Sequence, residues 1–396
     1  MKWMPVVLML AACSSPNTSG DDGVHDATTI DTPDARSAGL PPPVQPGDFS
    51  HALDKAYIRS FQAWIDDPGF EVKWATMTTT AIDFLGGADS AFHADLASRT
   101  IPLPGGEVQC HGDAKFDNFG WTLVAGTSVF SDNDFDDAGL CPAAADALHY
   151  LLATDILFAD PTLDDVALQA YVDTIASGAV IVVDPSTEPA WDAVRVAGLA
   201  KVTQQSKLIL GGEVQVATTA EVTAVTALVA SDLRFPTTVL DVTRDVRTTG
   251  GSAGLRRFWL LAEDSQHPRT VLELKELSKP GTEFGPHSET FDGNDRFAIL
   301  KQFWWGAPGP ADHFTVDLLG GKFVARNRFT RVNPKPTKLT APQIKTMIQT
   351  EASIMALKHR GAWQGVAPDQ LEAWLRESTA TMVARWRGAY ADDGGS

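Results

Sequence analysis

His111-Gly112-Asp113-Ala114-Lys115-Phe116-Asp117-Asn118-Phe119-Gly120 and, shortly after it, Asp132-Asn133-Asp134-Phe135-Asp136-Asp137 decide how this chain is read. Asp113 is followed five residues later by Asn118, on a loop that leaves the strand-like run Val108-Gln109-Cys110. That spacing puts a carboxylate and an amide oxygen into one cleft. Val129-Phe130 leads a second strand into the acidic run, which brings Asp134 alongside. One carboxylate to orient a hydroxyl, with an Asn and an Asp to hold a divalent cation, is the set phosphoryl transfer needs. Asp132, Asp134 and Asp136 also alternate as ligands of a calcium loop do. Position six is Asp137 instead of Gly, and position twelve is Ala143 instead of Glu, which excludes an EF-hand. His111 reads as a loop-holding residue, and His149 and His359 as structural residues on helices.

Outward from this segment, residues 51–100 have helical spacing: Tyr57, Phe61, Trp64 and Ile65 recur on one face. Asp66-Asp67-Pro68-Gly69 reads as the stop of that helix, and a second helix is expected over Ala88–Ala97. The chain is expected to be helical from Pro142 to Ser177, with Ala179–Val183 as a short strand or a buried helix end. From about residue 235 β-rich runs take over. Thr238–Val246 and Leu255–Leu261 flank the glycine-rich loop Thr248-Thr249-Gly250-Gly251-Ser252-Ala253-Gly254. Thr270-Val271-Leu272-Glu273-Leu274-Lys275 alternates as a strand does. Asn294–Trp305 reads as a helix, and Phe314–Leu318 with Lys322–Phe329 as a hairpin turning at Gly320-Gly321. Thr340 caps a helix carrying Ile344, Met347, Ile348 and Met355. Leu371, Trp374, Leu375, Met382 and Trp386 mark the last helix, its tryptophans in the core.

The Asp113–Asn118 and Asp132–Asp137 runs resemble the bacterial domain-of-unknown-function 2252 family. Its hallmark is Gly-Asp-Ala-His-x-x-Asn-Phe-Gly followed by Asp-x-Asn-Asp-Phe-Asp. Phe84-Leu85-Gly86-Gly87 looks like the family's Phe-Leu-Arg-Gly helix entry. Asp241–Leu260 and Leu272-Glu273-Leu274-Lys275-Glu276 look like its glycine-rich hairpin and lysine strand. The same motif pair is similar to aminoglycoside phosphotransferases and other kinase-like enzymes. The resemblance implies an α+β, two-lobed, protein-kinase-like fold. It implies Asp113 as the catalytic residue and Asn118 and Asp134 as ligands of Mg²⁺ or Mn²⁺. Gly250, Gly251 and Gly254 would lie over the phosphates of ATP or another nucleotide, and Lys275 would reach them. The chain departs from the pattern at Lys115, where the family carries His, and at Gly86, where it carries Arg. The glycine loop and lysine follow the catalytic loop instead of preceding it, which we read as a circular permutation. A helix acid for Lys275 is not found between Arg296 and Phe303, which leaves Glu289 or Asp295.

The N-terminus carries a different message. Lys2, the apolar run Val6–Leu10 and Leu10-Ala11-Ala12-Cys13 have the order of a signal peptide ending in a lipobox. The apolar run is far short of the ~20 residues that span a bilayer. Residues 1–12 are thus expected to be removed and Cys13 to be lipidated. Residues 13–48 then serve as a flexible tether, polar and closed by Pro41-Pro42-Pro43. Ser14 after the cysteine favours the outer membrane in a Gram-negative cell. Beyond the tether we expect a mainly helical lobe over 49–234, a β-rich nucleotide-lobe-like region over 235–335 and C-terminal helices over 336–390. The 396 residues carry a net charge of −18 and no basic stripe, which argues against a nucleic-acid partner. Cys110 and Cys141 are an even pair that suits either a disulfide or two buried thiols.

Three functions compete at this stage. The first is Mg-dependent phosphotransfer to an acceptor, a small molecule or a protein, with Asp113 orienting the hydroxyl. The second is a catalytically degenerate binding module at the cell envelope. The third is a metal-dependent hydrolase built on Asp132, Asp134 and Asp136.

Overall fold

Apolar runs of two periods, helical and alternating, sort the chain into a helical body and an antiparallel sheet. The computed structural model describes residues 39–393 apart from 249, 266–267, 287–292 and 307–312, and gives no side chains for 293–295. Cys13, Glu289 and the Asp295 side chain therefore lie outside the described residues.

The first helices are α1 (Lys55–Ser60), α2 (Asp67–Met77), α3 (Ala81–Gly87) and α4 (Asp89–Ala97). Asp66–Gly69 is not the stop of the first helix, which already ends at Ser60 and leaves Trp64 and Ile65 outside it; Asp66 instead starts α2, its carboxylate accepting from Gly69 N at 2.8 Å with Pro68 in the first turn. A carboxylate at that position satisfies an orphan N–H and opposes the positive end of the helix dipole. Next come β1 (Glu107–Cys110), β2 (Phe119–Val124), β3 (Thr127–Asp132) and β4 (Gly139–Pro142). The helical stretch that follows is two helices, α5 (Ala143–Phe158) and α6 (Pro161–Ser177). They break where Ala159 turns left-handed (φ 48°) before Asp160-Pro161. Ala179–Val183 is neither strand nor helix end. It runs irregularly, tied by Ile181 N to Ser353 Oγ at 3.0 Å, with Val182 left 76% exposed.

The chain continues through α7 (Trp191–Val202), β5 (Thr203–Gln204), β6 (Lys207–Leu208), β7 (Val214–Val216) and α8 (Thr219–Ser231). After these come β8 (Thr238–Asp245), β9 (Arg257–Glu263), β10 (Thr270–Glu276), α9 (Gly293–Trp305), β11 (His313–Leu318), β12 (Gly321–Asn327) and β13 (Arg331–Val332). The long helices α10 (Ala341–His359) and α11 (Pro368–Asp392) close the fold. The protein is α+β.

The main sheet has six strands in the order β11-β12-β10-β9-β8-β7, all antiparallel. Its sixth strand and the helix α8 packed on it come from before residue 235. The hairpin between β11 and β12 turns at Leu319-Gly320, both at positive φ, so Leu318 pairs directly with Gly321. That two-residue turn is one position earlier than the sequence pattern suggests, and its twist matches that of the strands.

Strand pleat sorts the side chains of the sheet. Phe258, Leu260, Leu272, Leu274, Phe323 and Ala325 form one buried cluster with Val225 and Val229 of α8. The alternate positions, Arg257 on β9, Glu273 and Lys275 on β10, and Arg326 on β12, therefore share the opposite face. Glu273 stands opposite Arg326 in register, and Lys275 opposite Arg257.

The helical body has its own core, in which Phe84, Phe92, Leu148, Met355, Trp363, Trp374 and Trp386 are buried. The last ten residues assigned to the tether belong to this body. Val44 is fully buried, and its N–H donates to Ser378 Oγ at 2.9 Å. Thr340 caps α10 in a reciprocal box with Gln343. Cys110 and Cys141, on the paired strands β1 and β4, form a disulfide with Cα atoms 5.7 Å apart. No helix among the described residues is long and apolar enough to cross a membrane.

Candidate functional site

The loop after β1 is shaped by buried carboxylates. Asp146 on α5 accepts from His111 N and Gly112 N, each at 3.0 Å, and pairs with His359 Nε2 at 3.2 Å. Gly112 has φ +86°, and a Cβ there would lie 2.1 Å from Asp137 O, so no other residue fits. His93 Nε2 donates to Gly112 O at 3.0 Å, and His149 Nδ1 donates to Ala114 O at 2.9 Å. The loop that presents Asp113 is thus held from two helices, α4 and α5, with α10 behind Asp146 through His359. Asn118 donates to the Asp113 backbone carbonyl at 2.8 Å and to its carboxylate at 2.9 Å.

His111 and Asp132 form a fully buried pair, with Nε2 2.9 Å from Oδ1. Asp132 also accepts from Asp134 N at 3.0 Å. Its assignment as a metal ligand is therefore revised: it lies behind the cavity and anchors the loop that presents Asp134. Burial alone would lower the His111 pKa, but the charge and hydrogen bond of Asp132 lift it to about 9. A folded-state value above the usual ~6.5 means this contribution to stability is present below pH 6.5, but burial also raises Asp132 to about 6, so the charged pair is whole only above about pH 6. It is lost as the pH rises through about 9. In a histidine NMR titration His111 should remain imidazolium to about pH 9, and Asp132→Asn should bring its midpoint below 6.5. A wild-type midpoint near 6.5 would contradict the pairing.

Asp113, Asn118, Asp134, Asp136, Gly250, Gly251 and Lys275 all line one cavity of about 340 Å³. Lys275 makes an ion pair with Asp136 and lies 3.9 Å from Asp134. The acid facing this lysine thus comes from the acidic loop. Burial pushes the Lys275 pKa down to about 7, against the pull of Asp134. Arg326 binds Asp134 Oδ1 and Glu273 Oε1, each at 3.1 Å. Gly254 is absent from the lining: a Cβ there would strike Ile65, so this glycine serves close packing.

The glycine loop is anchored to the helical body. Lys73 Nζ donates to Gly251 O at 3.1 Å, and Thr76 Oγ1 donates to Thr248 O at 2.7 Å. Lys73 is 1% exposed, and burial brings its pKa down to about 7. A lysine inside an apolar helix face gives no sequence signal of this role.

Three further residues were missed. Asp89, at the start of α4, is buried with Oδ1 3.2 Å from His149 Nε2, while its Oδ2 accepts no hydrogen bond. Asp137 accepts from Gly281 N at 3.0 Å. Burial, then the charges of Asp89 and Asp113, push its pKa up to about 8. His149, read as structural, stands 3.8 Å from Asp113 Oδ1 as well. Burial opposes its charge, but Asp89 and then Asp113 hold the imidazole above its usual range. The run Asp132–Asp137 could have flagged Asp137, since it is the sixth residue of the same acidic stretch. Asp89 and His149 are placed by tertiary packing alone.

The two departures from the family pattern meet in space. Lys115 pairs with Asp113, and its Nζ is 2.8 Å from where a Cβ on Gly86 would stand. A side chain at position 86 and Lys115 would compete for the same volume, so the glycine makes room for the ammonium group. That ammonium supplies a positive charge beside Asp113. Burial raises the Asp113 pKa, Lys115 opposes this, and Asp89 adds to the rise, leaving it above the usual carboxylate range.

Residues 67–177 match the family described as "Uncharacterized protein conserved in bacteria (DUF2252)". The match covers under a third of the chain and supports that family. It takes in Asp89, Asp113, Asn118, Asp134, Asp136 and Asp137, and leaves the glycine loop and Lys275 outside. No curated protein and no solved structure matches this chain.

Proposed function

We propose that the cavity is a kinase-like site for divalent-cation-dependent phosphotransfer, with Mg²⁺ or Mn²⁺ as cation and ATP or another nucleotide as donor. One observation carries the reading. Residues from four separate stretches, singled out by phosphotransfer chemistry and family resemblance, line a single cavity. Crowded carboxylates suit a cation: Asp113 Oδ1 and Asp89 Oδ2 are buried without a hydrogen-bond partner, and Asp137 is pushed up by burial and then by its acidic neighbours. Asn118, Asp134 and Asp136 would hold the ion, which would neutralise phosphate charge.

The protein's own groups would do the rest. Asp113, fixed by Asn118 and Lys115, orients the acceptor hydroxyl, and its raised pKa favours taking the proton. Lys275 sits where it can pair with phosphate oxygens once Asp136 turns to a cation. The Gly250-Gly251 backbone covers the phosphates from the side of α2. The late position of this loop in the chain corresponds to a circularly permuted kinase-like order. The test is transfer or release of the terminal phosphate of a labelled nucleotide, with and without Mg²⁺, across an acceptor panel.

A second reading, a degenerate binding module, is favoured by the Lys115–Asp113 pair, which occupies the carboxylate oxygen also used by Asn118. Nucleotide binding without turnover selects it. The hydrolase reading loses support, because Asp132 is committed to His111.

We place this site on an exported lipoprotein, in keeping with a buried disulfide, which belongs to oxidising compartments. Cys13→Ser should release the protein from the membrane fraction. Membrane partitioning of the variant at the wild-type level would end the lipoprotein reading.

A further inference from the structure

A second cavity, of about 270 Å³, borders the first and shares Asp117, Arg247, Arg257 and Arg326 with it. Six cations line it: Arg247, Arg257, Arg326, Arg328, Arg331 and Lys335. Asp117 and Glu273 are the acids in its lining, while Asp134 pairs with Arg326, and Glu213 and Asp245 with Arg247, from outside it. In a chain of net charge −18 this is a concentrated reversal of sign.

The cluster is built, not a chance gathering of mobile surface groups. Glu273 is 4% exposed and takes Arg257 and Arg326 on one oxygen and Arg328 on the other, each at 3.1 Å. Burial alone would push the Glu273 carboxyl up, but Arg326, Arg257 and Arg328 hold it well below its usual range. Three guanidinium groups are thus fixed around one buried carboxylate, and with Asp134 also on Arg326 one positive charge is left over. Arg328 is stacked over Trp259, 3.9 Å from the ring centroid, which orients it further. Arg331 is fixed through Nη1 to Asn133 O, and burial, then Arg326, lower its pKa to about 10. Lys335 stands exposed beside the opening. Fixed guanidinium forks bind phosphate and similar oxyanions strongly, because little ordering entropy is lost on binding.

We infer that this second cavity is an oxyanion subsite, which takes a phosphate or comparably charged group next to the reacting centre. It rests on the phosphotransfer reading for the identity of the neighbouring cavity. Its consequence is a substrate class: an acceptor that itself carries a phosphate, sulfate or carboxylate group, while an amine-rich acceptor is repelled. The donor's own phosphates offer the same chemistry, and the test separates the two sources.

Inorganic pyrophosphate is titrated into the full protein by calorimetry without divalent metal. Wild type should bind, with affinity falling steeply as salt rises. Arg328→Gln should weaken binding by about tenfold or more, the value of one charge-assisted contact. Lys335→Gln, at an exposed position that cannot disturb the fold, should weaken it by several-fold. The titration is repeated with saturating Mg²⁺ and a non-hydrolysable nucleotide. Undiminished pyrophosphate binding assigns the subsite to the acceptor, and competition assigns it to the donor; both support an oxyanion site. No binding by wild type, or binding unchanged in both variants, overturns it. Pyrophosphate binding in a protein that never turns nucleotide over would keep the subsite and sink the phosphotransfer reading.

Discussion

Asp113→Asn is expected to lower nucleotide turnover by about 10²–10⁴-fold, the range for loss of a positioned general base. The substitution keeps the shape of the side chain. The Asn118 contact to the Asp113 backbone carbonyl does not involve the side chain and should persist. His149 and His93 still hold the loop through Ala114 and Gly112 carbonyls. The lost charge removes the ion-pair partner of Lys115, which keeps Asp117 and Asp89 as acidic neighbours, so the melting temperature should move by no more than a few degrees and nucleotide should still bind. The pairing of a large turnover loss with retained binding distinguishes a reacting carboxylate from a structural one. Turnover within tenfold of wild type would remove Asp113 from the chemistry.

Asp146→Ala should be the most damaging change to stability. Asp146 is fully buried and is the acceptor for two backbone N–H groups and His359. Burial alone would raise its pKa, but the hydrogen bond and charge of His359, then His111, lower it to about 2. A depressed folded-state value means its stabilisation is present above the unfolded value near 4 and is lost as the pH falls through about 2. Alanine leaves all three donors without an acceptor, at a cost of about 3–5 kcal/mol. That is a large part of the ~5–15 kcal/mol that holds a domain together. Urea unfolding should show this loss at pH 7. A change under 1 kcal/mol would mean that the loop carrying Asp113 is supported some other way.

The parts of this molecule that the sequence announces are those with a local period or a fixed spacing. Leu272-Glu273-Leu274-Lys275 alternates, and the pleat duly puts the two leucines in one core and the two charges on the other face. Asp113 and Asn118 are close in sequence and remain close in space. What escapes the sequence is made by tertiary packing. Asp89 and His149 lie on different helices 60 residues apart and meet only because α4 packs beside α5. Lys73 is an ordinary helix residue until its ammonium reaches the Gly251 carbonyl. Arg326 sits in a hairpin strand whose apolar neighbours gave it no prominence, yet it binds both Asp134 and Glu273. Gly254 and Asp132 show the converse error. Each belongs to a chemically suggestive run, and each is used for packing or anchoring instead. Ala179–Val183 has the apolar run of a strand but pairs with no strand among the described residues, and Ser353 on α10 takes one of its N–H groups instead.

The central claim is that Asp134 and its neighbours form a cation-dependent phosphate site, and the melting temperature tests it most directly. A ligand that binds only the folded state adds about 2.7 kcal/mol at a hundredfold excess over its dissociation constant. Millimolar Mg²⁺ or Mn²⁺, alone and with a non-hydrolysable nucleotide, should therefore raise the melting temperature of wild type by several degrees, and Asp134→Ala should abolish the rise. A wild-type melting temperature indifferent to metal, with and without nucleotide, would contradict the account.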